Sequence, residues 1–160
     1  MLSCAGFSEG AGLKNLFDVS ATDEVVSRID RLQASTPRQW GKMDAAQMMA
    51  HCSAALDMAS GKFVASRSLL GRIIGPRLRH ILTDDKPMKH NNATAKELTV
   101  GTCDFAREHQ RLKECVRQFR QGGEAGCTEH PHPFFGPLTP LEWATGMYKH
   151  LDHHLRQFGV

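Results

Sequence analysis

Apolar residues recur at helical spacing in four stretches of this chain, with polar residues between them, and no stretch shows the alternation typical of a strand. The fourth stretch has the clearest start, because Thr139 is suited to cap a helix, Pro140 takes the first helical position and Glu142 closes a capping box. Asp44 and Gln47 form a similar pair. The four predicted helices run from Thr22 to Ala34, from Asp44 to about Gly61, from about Cys103 to Gln121, and from Pro140 to about Phe158.

A long irregular connection separates the second predicted helix from the third, from Gly61 to about Gly101. Within it, the segment from Leu69 to Ile74 predicts a short amphipathic helix that ends at Gly75-Pro76. A crossover of this length allows the next helix to run parallel to the preceding one. The pattern therefore predicts an all-α fold, a four-helix bundle with a long crossover between helices 2 and 3, over residues 15–160. Residues 1–14 are predicted to form a loose tail.

Composition narrows the classes of partner. A chain of 160 residues with 41% hydrophobic residues fits one domain with a buried core, and a net charge of +3 gives no ground for nucleic acid or a membrane as partner. No run is long enough to span a membrane, and the N-terminus does not resemble a secretion signal. The five cysteines are odd in number and include no CxxC pair, which favours reduced thiols in a cytoplasmic protein.

Two histidines on the fourth predicted helix point to chemistry. His150 and His154 are four residues apart, so their rings lie one above the other on one helix face. Trp143, Met147 and Gln157 fall near the same face, which is otherwise apolar and is expected to face the core. Two imidazoles aimed into a core need partners.

His51 is the best third member of such a site, because it lies on the inward stripe of the second predicted helix among alanines and methionines. Three neutral imidazoles suit a divalent transition metal such as zinc, nickel, iron or copper. Three protein ligands also leave positions open for water, as in catalytic sites. Gln47 lies one turn from His51, where it can contact a bound water.

Each of these residues also has a plainer interpretation. A single histidine on an apolar stripe is more often a hydrogen-bonded core residue than a ligand, and Gln47 is equally explained as the capping partner of Asp44. His109 is expected at a helix surface or core edge, with a role as fourth ligand as the lesser alternative. His130 and His132 are expected to be solvated loop residues rather than residues that line a pocket mouth. No carboxylate stands out as a general base.

Several segments together resemble a known family. They are Trp40-Gly41-Lys42-Met43, Ala46-Gln47-Met48, His51-Cys52, Asp85-Lys86-Pro87-Met88, and the runs HPFFGPLTPLEW and HLDHHLRQFG. The sequence resembles the DinB/YfiT-like superfamily of metal-binding four-helix bundles, and within it a branch without an assigned reaction. The resemblance covers Leu16 to Val160, and its most specific part runs from His132 to Gly159.

The resemblance implies the ligand set and a class of chemistry. In that superfamily one metal-binding histidine comes from the second helix and two from an HxxxH pair in the last helix, which correspond to His51, His150 and His154. Gln157 matches a glutamine that follows the last ligand in many relatives, and a long crossover links the second and third helices. Some relatives transfer or isomerise substrates with a low-molecular-weight thiol such as glutathione, mycothiol or bacillithiol.

Three functions remain open from the sequence. The first is a metal-dependent enzyme, a thiol transferase or a hydrolase, acting on a small molecule. The second is a metal-binding or small-ligand protein without catalysis. The third is a homodimeric interaction module with a remnant metal site, for which Phe134-Phe135 or the segment Leu69 to Ile74 supplies an apolar patch.

Basic residues concentrate in the crossover. They can bind the carboxylates of a tripeptide-like thiol, although a solvated loop explains them better. The cluster consists of Arg67, Arg72, Arg77, Arg79, Lys86 and Lys89.

Overall fold

The computed structural model describes residues 12–90, 98 and 100–160, and in these residues the chain is helical. The helices are α1 (Val19–Asp30), α2 (Ala45–Ala59), α3 (Leu69–Ile74), α4 (His80–Thr83), α5 (Phe105–Gly122) and α6 (Pro140–Gln157), with 3-10 turns at Gly75–Leu78 and Glu124–Gly126. In this part of the chain the only strand-like pairing is an isolated bridge between His132 and Gly136. The prediction of an all-α fold is confirmed. Of the predicted tail, residues 1–11 lie outside the described residues.

The four longest helices lie where the hydrophobic pattern predicts them, and they share one core. Helix α2 packs against α5 and α6, and α1 packs against the same two helices. The largest fully buried side chains of this core are Trp143, Leu16, Ile29, Met48, Met49, Leu56, Leu112, Leu151 and Leu155. Burial of large apolar side chains is the main stabilising contribution, at roughly 1.5–3 kcal/mol for each.

Helix α1 differs from the prediction at both ends, because it begins three residues and ends four residues before the predicted bounds of Thr22 and Ala34. Asp18 takes the N-cap position without a side-chain bond to the helix. Thr22 is buried inside the helix, and its hydroxyl donates to the carbonyl of Leu16 at 3.1 Å. A threonine whose hydroxyl is satisfied inside a helix does not need to cap one.

Helix α2 is buried on nearly all sides, whereas the sequence predicted a single inward stripe. Its start is as predicted: the amide of Gln47 donates to the Asp44 carboxylate at 2.8 Å, and the amide of Asp44 donates to Oε1 of Gln47 at 3.0 Å. The small side chains of its many alanines allow neighbouring helices to approach closely. A helix that is apolar all round belongs in the centre of a fold, and this one places His51 there.

Helix α6 is fixed at its start and near its end. Thr139 and Glu142 form both bonds of the predicted capping box. Near the other end, the buried guanidinium of Arg28 on α1 contacts Asp152 at 2.7 Å and the carbonyl of Val160 at 2.9 and 3.1 Å. These contacts hold the position of α6, which carries two of the candidate ligands.

The loop before α6 packs closely on α3. A side chain at Gly75 would collide with the carbonyl of Phe134, so only glycine allows this approach. The amide of Ser68 donates to the carbonyl of Pro133 at 3.2 Å. The loop that contains His132 therefore packs directly on α3.

Among the described residues, the structure contains no helix with the length and apolar character needed to cross a membrane.

Candidate metal centre and adjoining cavity

Helices α2 and α6 bring three imidazoles together inside the fold. His51 comes from α2, His150 and His154 come from α6, and one ring nitrogen from each lies within 4.8 Å of the other two. The Nε2 atoms of His51 and His150 are 3.0 Å apart. The rings meet edge to face, with centroids between 4.7 and 4.9 Å apart. The three residues that the helical faces singled out therefore point at a common centre.

The tautomer of His51 follows from its backbone partner. Its Nδ1 atom lies 3.0 Å from the carbonyl oxygen of Leu98, and a carbonyl can only accept. In the neutral ring the hydrogen is therefore on Nδ1, and Nε2 directs its lone pair at His150.

Gln157 fixes the tautomer of His154 in the same way. The side-chain nitrogen of Gln157 donates to the carbonyl of Trp40 at 2.7 Å, which turns its oxygen toward His154. Nδ1 of His154 donates to that oxygen at 2.9 Å, so the free lone pair of the ring is on Nε2. A side chain at Gly41 would collide with the Gln157 amide, and Gly41 also has a φ of +79°, so this turn requires glycine.

Burial keeps the three imidazoles neutral. His51 and His154 expose only 4% and 8% of their surface, and His150 is half-buried. Burial lowers the pKa of His51, and burial together with the nearby His51 lowers the pKa of His154 to about 3. Burial and the two neighbouring rings bring the pKa of His150 well below its usual value. Neutral imidazole is the form that binds a metal ion.

The spacing of the ring nitrogens suits a common ion. Zinc–nitrogen bonds of ~2.0–2.1 Å in tetrahedral geometry place two ligand nitrogens about 3.3 Å apart. The 3.0 Å between His51 and His150 is close to this value, and all three donors lie within 4.8 Å, so small ring movements complete the set. Two rings are also oriented by hydrogen bonds from their other nitrogen, as is usual for metal ligands.

A cavity of about 80 Å³ reaches the cluster at His150, which forms part of its wall. Its other polar side chain is that of His132, and the rest of the lining is apolar. Prominent apolar members are Met58, Leu82, Met88, Phe135 and Met147. Met147 was predicted near the site from its helix face, and the structure places it in this wall.

His132 is not the solvated loop residue that the sequence favoured. It lines the cavity, and burial lowers its pKa to about 4. Its Nδ1 atom accepts the backbone amides of Phe134 at 3.1 Å and Phe135 at 3.2 Å. His130, in the same loop, is exposed as expected. A loop has no helical period, so no sequence pattern separated the two histidines.

A second, larger cavity of about 240 Å³ lies on the outer side of α6, and the sequence did not predict it. His153, Asp152 and Arg156 form one wall, and Trp40 and His90 form another. The Trp40 and His90 rings stack with centroids 3.9 Å apart. This cavity borders α6 on the face from which Asp152 pairs with Arg28.

Other candidate residues have partners elsewhere. The Gln47 amide group bonds to Asp44 and to the carbonyl of Gly101 at 3.3 Å. Nε2 of His109 donates to the carbonyl of Ile29 at 3.1 Å, on the α1 side of α5. Trp143 is 1% exposed and its ring centroid lies 5.3 Å from that of His132, so it supports the cavity wall from behind.

Some of the acidic and basic side chains that the sequence offered as candidates form ion pairs. Asp57 forms ion pairs with Lys62 at 2.7 Å and Arg111 at 2.8 Å, so it is not free to act as a base. In the crossover, Arg79 forms an ion pair with Glu142, whereas Arg72 is exposed.

Comparison with known proteins identifies the family. The family described as "Protein of unknown function (DUF1569)" matches residues 13–159, which is nearly the whole chain. The chain belongs to the DUF1569 family. No curated protein and no solved structure matches this DUF1569 protein. The family assignment carries no activity with it, so function has to be argued from the site.

Proposed function

We propose that this DUF1569 protein is a metal-dependent enzyme whose divalent transition-metal ion is held by His51, His150 and His154. The observation that carries the proposal is that Leu98 and Gln157 orient two of the rings so that their free nitrogens face a shared centre. Histidines with only a structural role have no need to direct their free nitrogens at one point. The donor set of three neutral imidazoles suits zinc, nickel or iron.

The proposal includes a fold assignment. We place the chain in the DinB/YfiT-like superfamily as a four-helix bundle of α1, α2, α5 and α6, with residues 61–101 as the crossover. Support comes from the four long helices and from the source of the ligands, one on α2 and two on α6. The sequence motifs around His51 and from His132 to Gly159 agree with this assignment.

The catalytic role of the site follows from its open side. A bound metal ion supplies Lewis acidity and lowers the pKa of a water or thiol that it binds. His150 lines the cavity, so a small molecule in the cavity lies beside one of the three proposed ligands. The apolar walls exclude bulk water, which strengthens electrostatic interactions inside the cavity. No carboxylate lines this cavity among the described residues, so a nucleophile activated by the metal fits better than a carboxylate base.

A low-molecular-weight thiol is the co-substrate that we favour, for a transferase reaction. Its support is the superfamily assignment together with exposed basic residues of the crossover such as Arg72 and Arg77, which can bind carboxylates. A hydrolase that uses a metal-bound water is the alternative within the same site.

Metal analysis and an activity screen test the proposal together. Purified protein should contain one transition-metal ion per chain, and a His150→Ala variant should lose it. A screen of electrophiles with glutathione, mycothiol and bacillithiol should then show conjugation that requires the metal. Stoichiometric metal without activity, against thiols and hydrolase substrates alike, would favour a metal-binding protein instead.

A homodimeric interaction module is the second candidate, and α3 favours it. Leu69, Leu70 and Ile73 are 78%, 61% and 68% exposed, which makes a compact apolar patch on the surface. Phe134 and Phe135, the other patch named from the sequence, are half-buried and pack against each other.

Sedimentation of the wild type and of an Ile73→Gln variant tests this candidate. Dissociation of a dimer by Ile73→Gln, but not by Leu141→Gln at an exposed position of α6, would support it. A wild type that sediments as a monomer at high concentration would exclude it.

A further inference from the structure

The hydrogen-bonding state of His132 is fixed by the loop around it. Nδ1 accepts two backbone N–H groups, from Phe134 and Phe135, and a ring nitrogen that accepts cannot carry a hydrogen. A neutral imidazole has one N–H, which therefore lies on Nε2. Burial keeps the ring neutral by lowering its pKa to about 4. His132 thus presents a donor and no acceptor on its Nε2 side.

The ring of His132 is also held in place. The backbone of His132 pairs with that of Gly136 through two hydrogen bonds of 2.8 and 3.1 Å. The ring packs on Phe135 and Trp143, with centroids 4.9 and 5.3 Å away. No hydrogen bond among the described residues uses its Nε2 atom. A half-buried donor that finds no partner costs free energy, and a ligand or a water that accepts from it removes that cost.

His132 lines the cavity, so a molecule bound there is the candidate to accept from this donor. Apart from His132 and His150 its lining is apolar, so an occupant gains most by burying an apolar part. Its volume of about 80 Å³ is roughly half of the ~150 Å³ that holds benzene in an engineered cavity. The occupant is therefore either smaller than an aromatic ring or a larger molecule of which only one end enters the cavity. An oxygen that accepts a hydrogen bond satisfies the donor, whereas an ammonium group does not.

We propose that His132 is the hydrogen-bond donor to the substrate in this cavity, and that the substrate ends in a short apolar group bearing a carbonyl or carboxylate oxygen. This inference rests on the proposed function, because that oxygen is taken to approach the metal side of His150. His132 then decides which ligands enter: it selects an acceptor and rejects a cation of the same size.

The variant His132→Asn separates this role from support of the loop. The Asn side-chain oxygen can accept the Phe134 amide, as in an Asx-turn, but the side chain is too short to place a donor where Nε2 lies. His130→Asn is the matched control, because His130 is exposed in the same loop. Circular dichroism and metal analysis should show both variants folded and with the metal content of the wild type.

Propionate is the probe, and calorimetric titration measures its binding to the metal-loaded protein. We expect the wild type and His130→Asn to bind equally well, and His132→Asn to bind about tenfold more weakly, as expected for one lost hydrogen bond to a charged group. Propylamine should bind to none of them. Equal binding of propionate by the wild type and His132→Asn, or no binding of propionate by the wild type, would overturn the inference.

Nitrogen-15 NMR of the metal-free protein gives a second measurement that depends on neither the variant nor the metal. The spectrum should show His132 with its hydrogen on Nε2, and a hydrogen on Nδ1 would overturn the inference. Wild-type protein that takes up no metal would instead overturn the proposed function. The propionate comparison would then be made with metal-free protein, and it would judge the role of His132 by the same criterion.

Discussion

The Nε2 atom of His51 lies 3.0 Å from the Nε2 atom of His150, across 99 residues of sequence. Two lone pairs at this distance repel each other, so a hydrogen or a metal ion has to lie between them. Because His51 carries its hydrogen on Nδ1, the hydrogen in the metal-free protein is on His150. For His150 to bind a metal ion through this nitrogen, its hydrogen would move to Nδ1, and the ring would stay neutral. Acid opposes metal uptake because it protonates the ring nitrogens that bind the metal.

Metal binding should stabilise the fold. We expect chelation of metal-loaded protein to lower its melting temperature, by the equivalent of about 3 kcal/mol where free metal had been at 100 times its dissociation constant. Acid should release the metal, because protons compete with the metal for the three imidazole nitrogens. Differential scanning calorimetry with and without a chelator, combined with elemental analysis, measures both effects.

His130→Ala should behave like the wild type in these experiments, since its side chain is exposed and is not part of the three-histidine cluster. A protein that contains metal, yet melts at the same temperature before and after chelation, would contradict a metal centre that links α2 to α6.

Gln157→Leu should weaken metal binding without removing a ligand. The substitution removes the acceptor that orients His154 and leaves the ring free to turn. We expect the metal affinity to fall by about 10–100-fold, the usual effect of losing such an orienting partner. Competition with a chelator of known affinity measures it. Gln118→Leu, at an exposed position of α5, is the control, and equal affinities for the two variants would show that Gln157 does not orient the ligand.

Arg28 should contribute much more to stability than Arg156, although both guanidinium groups contact Asp152. Arg28 is 8% exposed and also bonds to the Val160 carbonyl, so Arg28→Met removes a buried, paired charge, leaves the half-buried Val160 carbonyl without this donor, and should cost about 3 kcal/mol. The Arg156 side chain is 62% exposed, and Arg156→Met should cost less than about 1 kcal/mol. Urea unfolding compares the two, and similar losses would contradict this difference.

His132 should make stability depend on pH. Its folded-state pKa of about 4 lies below the unfolded value of 6.5, so the unfolded chain binds the proton more readily between these limits. The contribution of His132 to the free energy of unfolding is therefore fully present above pH 6.5, and it falls as the pH drops toward 4. The loss is up to about 3 kcal/mol for this group.

Urea unfolding of the metal-free wild type and of His132→Asn at pH 7 and pH 4.5 isolates this contribution. The three histidines of the candidate metal centre titrate in both proteins, so their contributions cancel in the difference, apart from the small part of the lowered pKa of His150 that His132 itself causes. We expect the wild type to lose more stability than the variant, and equal losses would show that His132 does not titrate in this range.

The sequence was most informative where a repeating pattern exists. Helical periodicity assigns each residue to a face, so it singled out His51, His150 and His154 before any coordinates. The start of α6 was also predictable, because Thr139 and Glu142 are a local chemical signal. The start of α1 was not, since Asp18 takes the cap position without forming a side-chain bond.

Other parts of the site leave no trace in residue identity. Leu98 and Trp40 act through their backbone carbonyls, and any residue type supplies a carbonyl. His132 lies in an irregular loop, and its burial depends on the packing of that loop against α3. These features depend on tertiary contacts, and pattern analysis of one sequence does not reach them.

The turn before α2 has a consequence for how variants of this protein would be interpreted. Gly41 is exposed, and as a glycine it has no side chain that could contact the three histidines. Even so, a single added methyl group there would push the Gln157 amide away and release the ring that this amide holds. Alanine at position 41 would thus look like a change in a surface turn, although its effect would fall on the orientation of His154 in the candidate metal centre.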